Sequence, residues 1–248
     1  MKKPPIGQDE EVQPSAANSQ LAMTASIVTA TQRSLADLPQ ALVRARAFAE
    51  PLIAFETLDT GENTLAHADA VAKILKIMGG SEAMQAANYL VHACQHLAKP
   101  FDVISKAFDA SYATLAVETT KLVHVQRQAR NAIGKHQRLE DASSAAAQTE
   151  IVRKMLLAFS RDLRVVMMRL ASRMQTLRYL AATKQMASFA LAHESLNVFA
   201  PLASRLGIWQ IKWEMEDLAF RFLEPQTYQK TKLDAGVHAS KNEVTVAS

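Results

Sequence analysis

The stretch LVHACQHLAKP, residues 90–100, holds two histidines and the only cysteine of the chain. His92 and His96 stand four residues apart, so both imidazoles lie on one face of a helix, a spacing that can bind Zn²⁺. No glutamate follows His92, and a third ligand would have to come from His67 or from Cys94. The alternative that we favour is a pair of partly buried, hydrogen-bonded imidazoles without a metal.

A second group of side chains suited to binding is basic and recurs along RDLRVVMMRLASRMQTLRYLAA. Forked guanidinium donors recognise phosphates, so Arg169 and Arg173 are candidates for nucleotide binding. The alternative that we favour is a solvated or salt-bridged flank beside the apolar stripe of the same helix. It applies to all five arginines of the segment: Arg161, Arg164, Arg169, Arg173 and Arg178.

Two further features offer contact with a nucleic acid. Residues 121–138 carry basic side chains without acids, which could contact RNA, but we predict a surface loop there. Trp209 and Trp213 lie four residues apart, and we predict the packed edge of a helix in preference to a base-stacking platform.

The elements that position these side chains are predicted to be helices. Hydrophobic residues make up 49% of the 248 residues, and there are only 7 Gly and 8 Pro, which together predict an all-α globular protein. A single cysteine excludes an internal disulfide and fits a reducing cytoplasm. The net charge of +4 does not indicate a DNA-binding protein. We expect no membrane segment, because no stretch approaches the roughly 20 apolar residues that one requires.

Residues 1–36 are predicted to be a disordered arm, and helical periodicity begins near Leu38. The first helix is expected to break at Pro51. The stripe in HADAVAKILKIMGG predicts a helix that ends at Gly79–Gly80, and Ser81 is predicted to cap the next helix.

Residues 131–150 are the most loop-like interior segment, and residues 231–248 are predicted to be a disordered tail. Gly207 is predicted to separate two helices near the C-terminus. The strongest helical periodicity lies between these segments and predicts one buried face, made by Leu163, Val166, Met167, Leu170, Met174, Leu177 and Leu180.

Several segments resemble the N-terminal region of long RelA/SpoT-type proteins, which make and destroy (p)ppGpp. FAPLASRLGIWQIKWEMEDLAFRFLEPQTY is similar to their linker helices, and its IKWEMEDLAF tryptophan is closer to the RelA branch. AHADAVAKIL, AANYLVHACQHL and VVMMRLASRMQTLR are similar to motifs of their hydrolase domain. The resemblance implies an HD-domain-like helical bundle over residues 37–197, followed by linker helices over residues 198–230.

The resemblance also implies a Mn²⁺ site that removes the 3′-pyrophosphate of (p)ppGpp, held by two histidines and two aspartates beside a water-activating Glu–Asp pair. His67 and His92 match the two histidines. The other positions are replaced: Ala93 and Ser172 stand in place of the aspartates, His96 and Leu97 in place of the Glu–Asp pair, Thr176 in place of an asparagine, and Leu58–Asp59 in place of a basic pair that grips the substrate.

These replacements predict that hydrolysis is lost, that no catalytic residue remains and that no cofactor is bound. Mn²⁺ would be needed only if residual hydrolase activity remained. The leading hypothesis is a cytoplasmic, RelA-like pseudo-hydrolase that acts as a regulatory or interaction module. Its expected partner is a second copy or a full-length RelA/SpoT relative. One alternative is a residual Mn²⁺-dependent pyrophosphohydrolase that uses Asp69 or Asp102 as a replacement carboxylate, and another is a non-catalytic sensor of guanine nucleotides.

The resemblance stops where a (p)ppGpp synthetase domain would begin. Only eighteen residues follow Lys230, which is too few for that domain. We hypothesise that a premature stop or a frameshift shortened the reading frame. Sequencing the downstream DNA in all frames tests this hypothesis, and the absence of synthetase-like coding would refute it.

Overall fold

The computed structural model describes residues 41–136, 162–228 and 230. The predicted N-terminal arm, the predicted tail and Arg161 lie outside these residues. Within the described ranges every regular element is helical, and the only β-type pairing is an isolated bridge between Thr57 and Asn63. The all-α prediction is therefore confirmed.

Three helices form the N-terminal half of the bundle: α1 Ala41–Ile53, α2 Thr64–Ile77 and α3 Glu82–Ala93. Ser81 caps α3 by accepting from the Met84 N–H, as predicted. Gly79 has a φ of 79°, the left-handed conformation that glycine adopts readily after a helix.

The expected break at Pro51 is wrong, because α1 continues for two more residues to Ile53. Proline removes one N–H and disturbs one helical turn. Here α1 packs along α3 with Phe48 and Ile53 almost fully buried, and this packing holds the last turn in place.

After α3 the chain forms a 3₁₀ turn, Cys94–His96, then α4 Pro100–Ala107 and α5 Ala110–His136. The loops predicted within residues 121–138 and 131–150 are wrong as far as His136, because α5 extends through that residue. The remainder of the second loop lies outside the described residues.

The C-terminal half begins with α6 Leu163–Ala182, capped by the Asp162 carboxylate. It continues through α7 Phe189–Glu194, the π-helical turn Ser195–Phe199, α8 Ala200–Arg205 and α9 Trp209–Leu223. Gly207 lies between α8 and α9 with a φ of 72°, which confirms its predicted role.

One apolar cluster joins α2, α3 and α6 to α8 and α9. Most of the predicted face of α6 belongs to it, including Leu170 and Met174, which are fully buried. Leu163 is 42% exposed instead, because it lies in the first turn of α6. The two tryptophans also differ from the prediction: Trp209 is 54% and Trp213 62% exposed, so this edge of α9 is not packed within the described chain.

None of the helices in the described ranges is both long enough and apolar enough to cross a membrane.

Candidate functional site

His67 lies in the first turn of α2, where Asn63 accepts from the Ala66 N–H and fixes the start of the helix. The His67 ring is 1% exposed. Its Nδ1 lies 2.7 Å from Glu62 Oε2, and its Nε2 lies 3.1 Å from Ser172 Oγ on α6. The side chain therefore bridges the loop before α2 and the middle of α6.

Glu62 is a residue of the site that the sequence analysis missed. It is 4% exposed, and its second carboxylate oxygen accepts from Gln175 Nε2 at 2.6 Å. A buried carboxylate requires such partners to offset its desolvation. In the sequence, Glu62 follows Thr60–Gly61 and resembles an ordinary turn residue, and only its position five residues before His67 hinted at a pairing.

His92 projects from α3 towards His67, and the two ring centroids are 5.6 Å apart at 82°. Desolvation, together with the nearby His67 and Arg169, lowers the pKa of His92 to about 3. The two histidines matched by the resemblance are thus adjacent, and His92 is neutral at physiological pH.

Two of the positions that follow His92, Ala93 and Leu97, carry apolar side chains that cannot bind a cation. Ala93 is fully buried and Leu97 packs in the protein interior with 6% exposure. His96 belongs to the 3₁₀ turn, where its Nε2 lies 3.1 Å from Gln95 Nε2 and 4.0 Å from Glu56 Oε2. Because the α-helix ends at Ala93, His96 does not share the environment of His92.

Cys94 is buried beside α5, and burial raises the pKa of its thiol, although a hydrogen bond with Thr120 acts in the opposite direction. Across the residues that the structure describes, no three His, Cys, Asp or Glu side chains come together in a way that could hold a metal. The zinc alternative thus receives no support from the arrangement of His92, His96 and Cys94.

The two carboxylates considered as replacement ligands lie elsewhere. Asp69 accepts from Arg46 at 2.9 Å and from the Tyr89 hydroxyl at 2.8 Å. Asp102 is exposed in the first turn of α4. Neither lines the cavity that His67 and His92 share.

Two arginines of α6 are buried, in contrast to the solvated flank that we favoured. Arg169 donates through Nε to Gln126 Oε1 at 2.9 Å, and its Nη1 lies 3.4 Å from Ser172 Oγ. Arg173 donates through Nη2 to Glu194 Oε2 at 2.6 Å, and its guanidinium lies 4.4 Å from the centre of the Phe199 ring. These bonds fix both guanidinium groups in place.

The salt-bridged part of that interpretation holds for Arg173, through Glu194, and for the two arginines nearer the ends of α6. Arg164 pairs with Asp162 at 2.7 Å, and Arg178 pairs with Glu214 at 2.6 Å. Both pairs are partly exposed.

These side chains surround a cavity of about 840 Å³ between α2, α3, α5, α6 and the start of α7. Its wall includes His67, His92 and Ser172, and also Thr176, whose hydroxyl donates to the Ser172 carbonyl at 3.0 Å. The ionisable groups of the wall are mainly basic, namely Arg127, Arg169 and Arg173 with three histidines, and the single acid is Asp59, which pairs with Arg127 at 3.0 Å. The cavity therefore favours an anionic ligand.

The residues present do not fit the Mn²⁺ ion that the resemblance implies. A hard cation requires oxygen ligands, yet the ligand positions hold two imidazoles, a buried methyl group at Ala93 and a serine hydroxyl. The nearest carboxylate, Glu62, is bonded to Nδ1 of His67, while Nε2 faces Ser172.

Comparison with known proteins agrees with the helical fold. A family model described as HD domain matches residues 45–209. The chain is 37% identical over 193 residues to a probable guanosine-3′,5′-bis(diphosphate) 3′-pyrophosphohydrolase of Synechocystis sp., covering 77% of this chain and 24% of that protein. It is 34% identical over 178 residues to the Vibrio cholerae protein named guanosine-3′,5′-bis(diphosphate) 3′-pyrophosphohydrolase, covering 71% and 23%. It is 33% identical over 187 residues to a probable GTP pyrophosphokinase of Mycobacterium leprae, covering 74% and 21%. The chain thus spans about a quarter or less of the length of these relatives.

Proposed function

We propose that this chain, which belongs to the HD-domain family and is homologous to the HD region of RelA/SpoT-type proteins, serves (p)ppGpp metabolism and the stringent response without hydrolysing ppGpp. In this proposal it acts in the cytoplasm as a regulatory or interaction module. Such a module works through its packing against a partner, so its effect is conformational and requires no chemical step.

The observation that carries this proposal is the hydrogen bond of 3.1 Å between Ser172 Oγ and His67 Nε2. Where the resemblance implies a carboxylate and a metal, the imidazole nitrogen meets a neutral hydroxyl. The second carboxylate position, Ala93, is closed by packing. Without these carboxylates the site lacks the charge that holds a divalent cation and lowers the pKa of an attacking water.

A turnover assay tests the proposal. Purified chain is incubated with labelled ppGpp and millimolar Mn²⁺ beside the double variant His67→Ala/His92→Ala, and release of pyrophosphate is measured. We expect the wild type to match the double variant. Release that the double variant abolishes would refute the proposal and favour a residual pyrophosphohydrolase.

A restoration variant makes a negative result informative. Ala93→Asp/Ser172→Asp returns both carboxylates that the resemblance implies, and its Mn²⁺ affinity is measured by calorimetry beside the wild type. Tighter Mn²⁺ binding in this variant is expected if the missing carboxylates alone prevent metal binding. Equal affinity in a folded variant would show that the cause lies elsewhere in the site.

A second candidate function, a non-catalytic sensor of guanine nucleotides, is favoured by the basic cavity. Calorimetric titration with ppGpp and with GDP measures it, using Arg169→Met as the variant that removes a cation from the wall. Arg164→Met is the matched control, because Arg164 pairs with Asp162 and does not line the cavity. Binding of ppGpp that is weakened only by Arg169→Met would support the sensor, and no binding would exclude it.

The expected partner is a second copy or a full-length RelA/SpoT relative. The support for such an interaction is the exposed pair Trp209 and Trp213 on α9, since large exposed aromatic side chains are enriched at interfaces. Sedimentation velocity, with and without a full-length relative, distinguishes the two partners. A chain that sediments as a monomer both alone and in the presence of the relative would contradict the interaction role.

A further inference from the structure

Glu62, His67 and Ser172 form a continuous chain of hydrogen bonds that ends at the cavity wall. The Glu62–His67 bond is 2.7 Å and the His67–Ser172 bond is 3.1 Å. Glu62 and His67 are buried, while Ser172 is half-buried and lines the cavity. The three residues come from the loop before α2, from α2 and from α6, so tertiary packing fixes their mutual positions.

The chemistry of the three groups sets the direction of the hydrogen bonds. A carboxylate only accepts, so His67 donates its Nδ1–H to Glu62. In the neutral imidazole, Nε2 then carries a lone pair and accepts the proton of the Ser172 hydroxyl. Gln175 donates to the other oxygen of Glu62 at 2.6 Å, which holds the carboxylate in this orientation.

We propose that Ser172, His67 and Glu62 constitute a nucleophilic Ser–His–Glu relay, which acts on a carboxylic ester that carries an anionic group. This arrangement of nucleophile, base and orienting acid recurs on unrelated folds and is recognised by its geometry. The relay lies where the resemblance implies a metal, but it needs none. It is independent of the function proposed above.

The cavity determines which esters fit. Arg169 Nη1 lies 3.4 Å from Ser172 Oγ, so its guanidinium stands beside the attacking atom, and we assign it as the donor to the oxyanion of the tetrahedral intermediate. Arg127 and Arg173 also present guanidinium N–H donors at the wall, where Asp59 and Glu194 offset their charge, and Val91 and Met168 add apolar surface. These groups match an ester with one anionic end and a short apolar acyl or alcohol part.

The reaction is an acyl transfer to water. Ser172 Oγ attacks the carbonyl carbon while its proton passes to His67 Nε2. The intermediate then collapses, the ester C–O bond breaks, and the leaving alkoxide takes the proton from His67. Water attacks the resulting acyl-serine and gives a proton to His67, which returns it to Ser172, so the products are an alcohol and a carboxylic acid.

The first test is covalent labelling of the full chain with a fluorophosphonate probe, which reacts with activated serines. The labelled residue is identified by mass spectrometry, and the labelling rate is compared in Ser172→Ala, Glu62→Gln and the control Ser111→Ala. Ser111 is an exposed serine that does not line the cavity. Circular dichroism and a thermal melt establish that each variant is folded.

We expect an adduct on Ser172 that Ser172→Ala abolishes and Ser111→Ala leaves unchanged. Glu62→Gln should slow labelling on the order of 100-fold or more, because a neutral amide no longer holds the imidazole in the required tautomer. No adduct on Ser172 in folded wild type would overturn the proposal. An adduct whose rate is unchanged in folded Glu62→Gln would likewise show that no relay activates the serine.

Ester hydrolysis tests the substrate class. The monoanionic 4-nitrophenyl ester of glutaric acid is compared with neutral 4-nitrophenyl butyrate, and Ser172→Ala supplies the background for each. We expect kcat/KM for the anionic ester to exceed that for the neutral ester by about tenfold, a preference that Arg169→Met removes. Equal rates, or rates that Ser172→Ala does not lower, would refute the proposed substrate class.

Discussion

Among the polar contacts in the described part of the chain, the ion pair between Arg173 and Glu194 is expected to have the largest effect on the free energy of unfolding when it is broken. The two side chains are 3% and 4% exposed, and the bond is 2.6 Å long. Arg173 also donates to Ser195 Oγ at 3.2 Å and lies over the Phe199 ring. The contact therefore ties α6 to the π-helical turn Ser195–Phe199, which follows α7.

Glu194→Ala leaves a buried guanidinium with neutral partners only. Removal of one member of a buried pair typically lowers the free energy of unfolding by about 3–5 kcal/mol. At roughly 2–4 °C per kcal/mol for a domain of this size, the expected fall in Tm is about 6–20 °C. The apolar double variant Arg173→Met/Glu194→Leu should lose less than either single change, because it leaves no buried charge.

Urea unfolding followed by circular dichroism measures these differences. The matched control is Glu214→Ala, which breaks the partly exposed pair of Arg178 and Glu214 and should cost about 0–1 kcal/mol. A loss in Glu194→Ala no larger than in Glu214→Ala would refute the reasoning. The reasoning would also be refuted if the double variant lost as much free energy of unfolding as the single variants Arg173→Met and Glu194→Leu together, because the two charges would then not interact.

One labelling measurement and two substitutions test other parts of the structure. Cys94 should react with a thiol reagent at least tenfold more slowly in the folded chain than in the chain unfolded by urea, because burial raises the pKa of its thiol and restricts access. Equal rates in the two states would contradict the burial of Cys94. Asn63→Ala should lower the free energy of unfolding by about 1–2 kcal/mol in urea titrations, since Asn63 caps α2 and also donates to the Ala54 carbonyl at 2.7 Å, whereas an unchanged value would show that neither bond contributes. Gly79→Ala should cost about 1 kcal/mol through its φ of 79° alone, because an added methyl group meets no atom within 4 Å there, and a stabilised variant would contradict this strain.

The sequence predicted local structure better than it predicted the site. Ser81 and Gly207 mark helix ends because capping depends on a few neighbouring atoms. Pro51 was misjudged because the packing of α1 against α3 outweighs a local preference. Of the predicted loop over residues 131–150, the structure describes residues 131–136, and α5 occupies them.

The site could be predicted only in part, because its contacts join distant residues. The resemblance placed His67, His92 and Ser172 at the ligand positions of one metal, and the structure brings them together although His67 and Ser172 are separated by 105 positions in the sequence. Glu62 was missed because no periodic pattern distinguishes a buried turn carboxylate from an exposed one. His96 was misplaced because an exact i, i+4 spacing assumes a continuous α-helix, which here ends at Ala93.

Helix α6 carries Ser172, at the position where the resemblance implies a metal ligand, on a different face from its core residues. Leu170, Met174 and Leu177 are fully buried in the apolar core, whereas Ser172 and Thr176 face the cavity. A substitution on the cavity face leaves the apolar core contacts of α6 intact. We therefore expect Ser172→Asp to change the free energy of unfolding by less than Leu170→Ala, which should lose about 2–5 kcal/mol through cavity formation. If urea titrations showed a larger loss of free energy of unfolding for Ser172→Asp than for Leu170→Ala, the contacts on the cavity face of α6 would contribute more to stability than this reasoning allows.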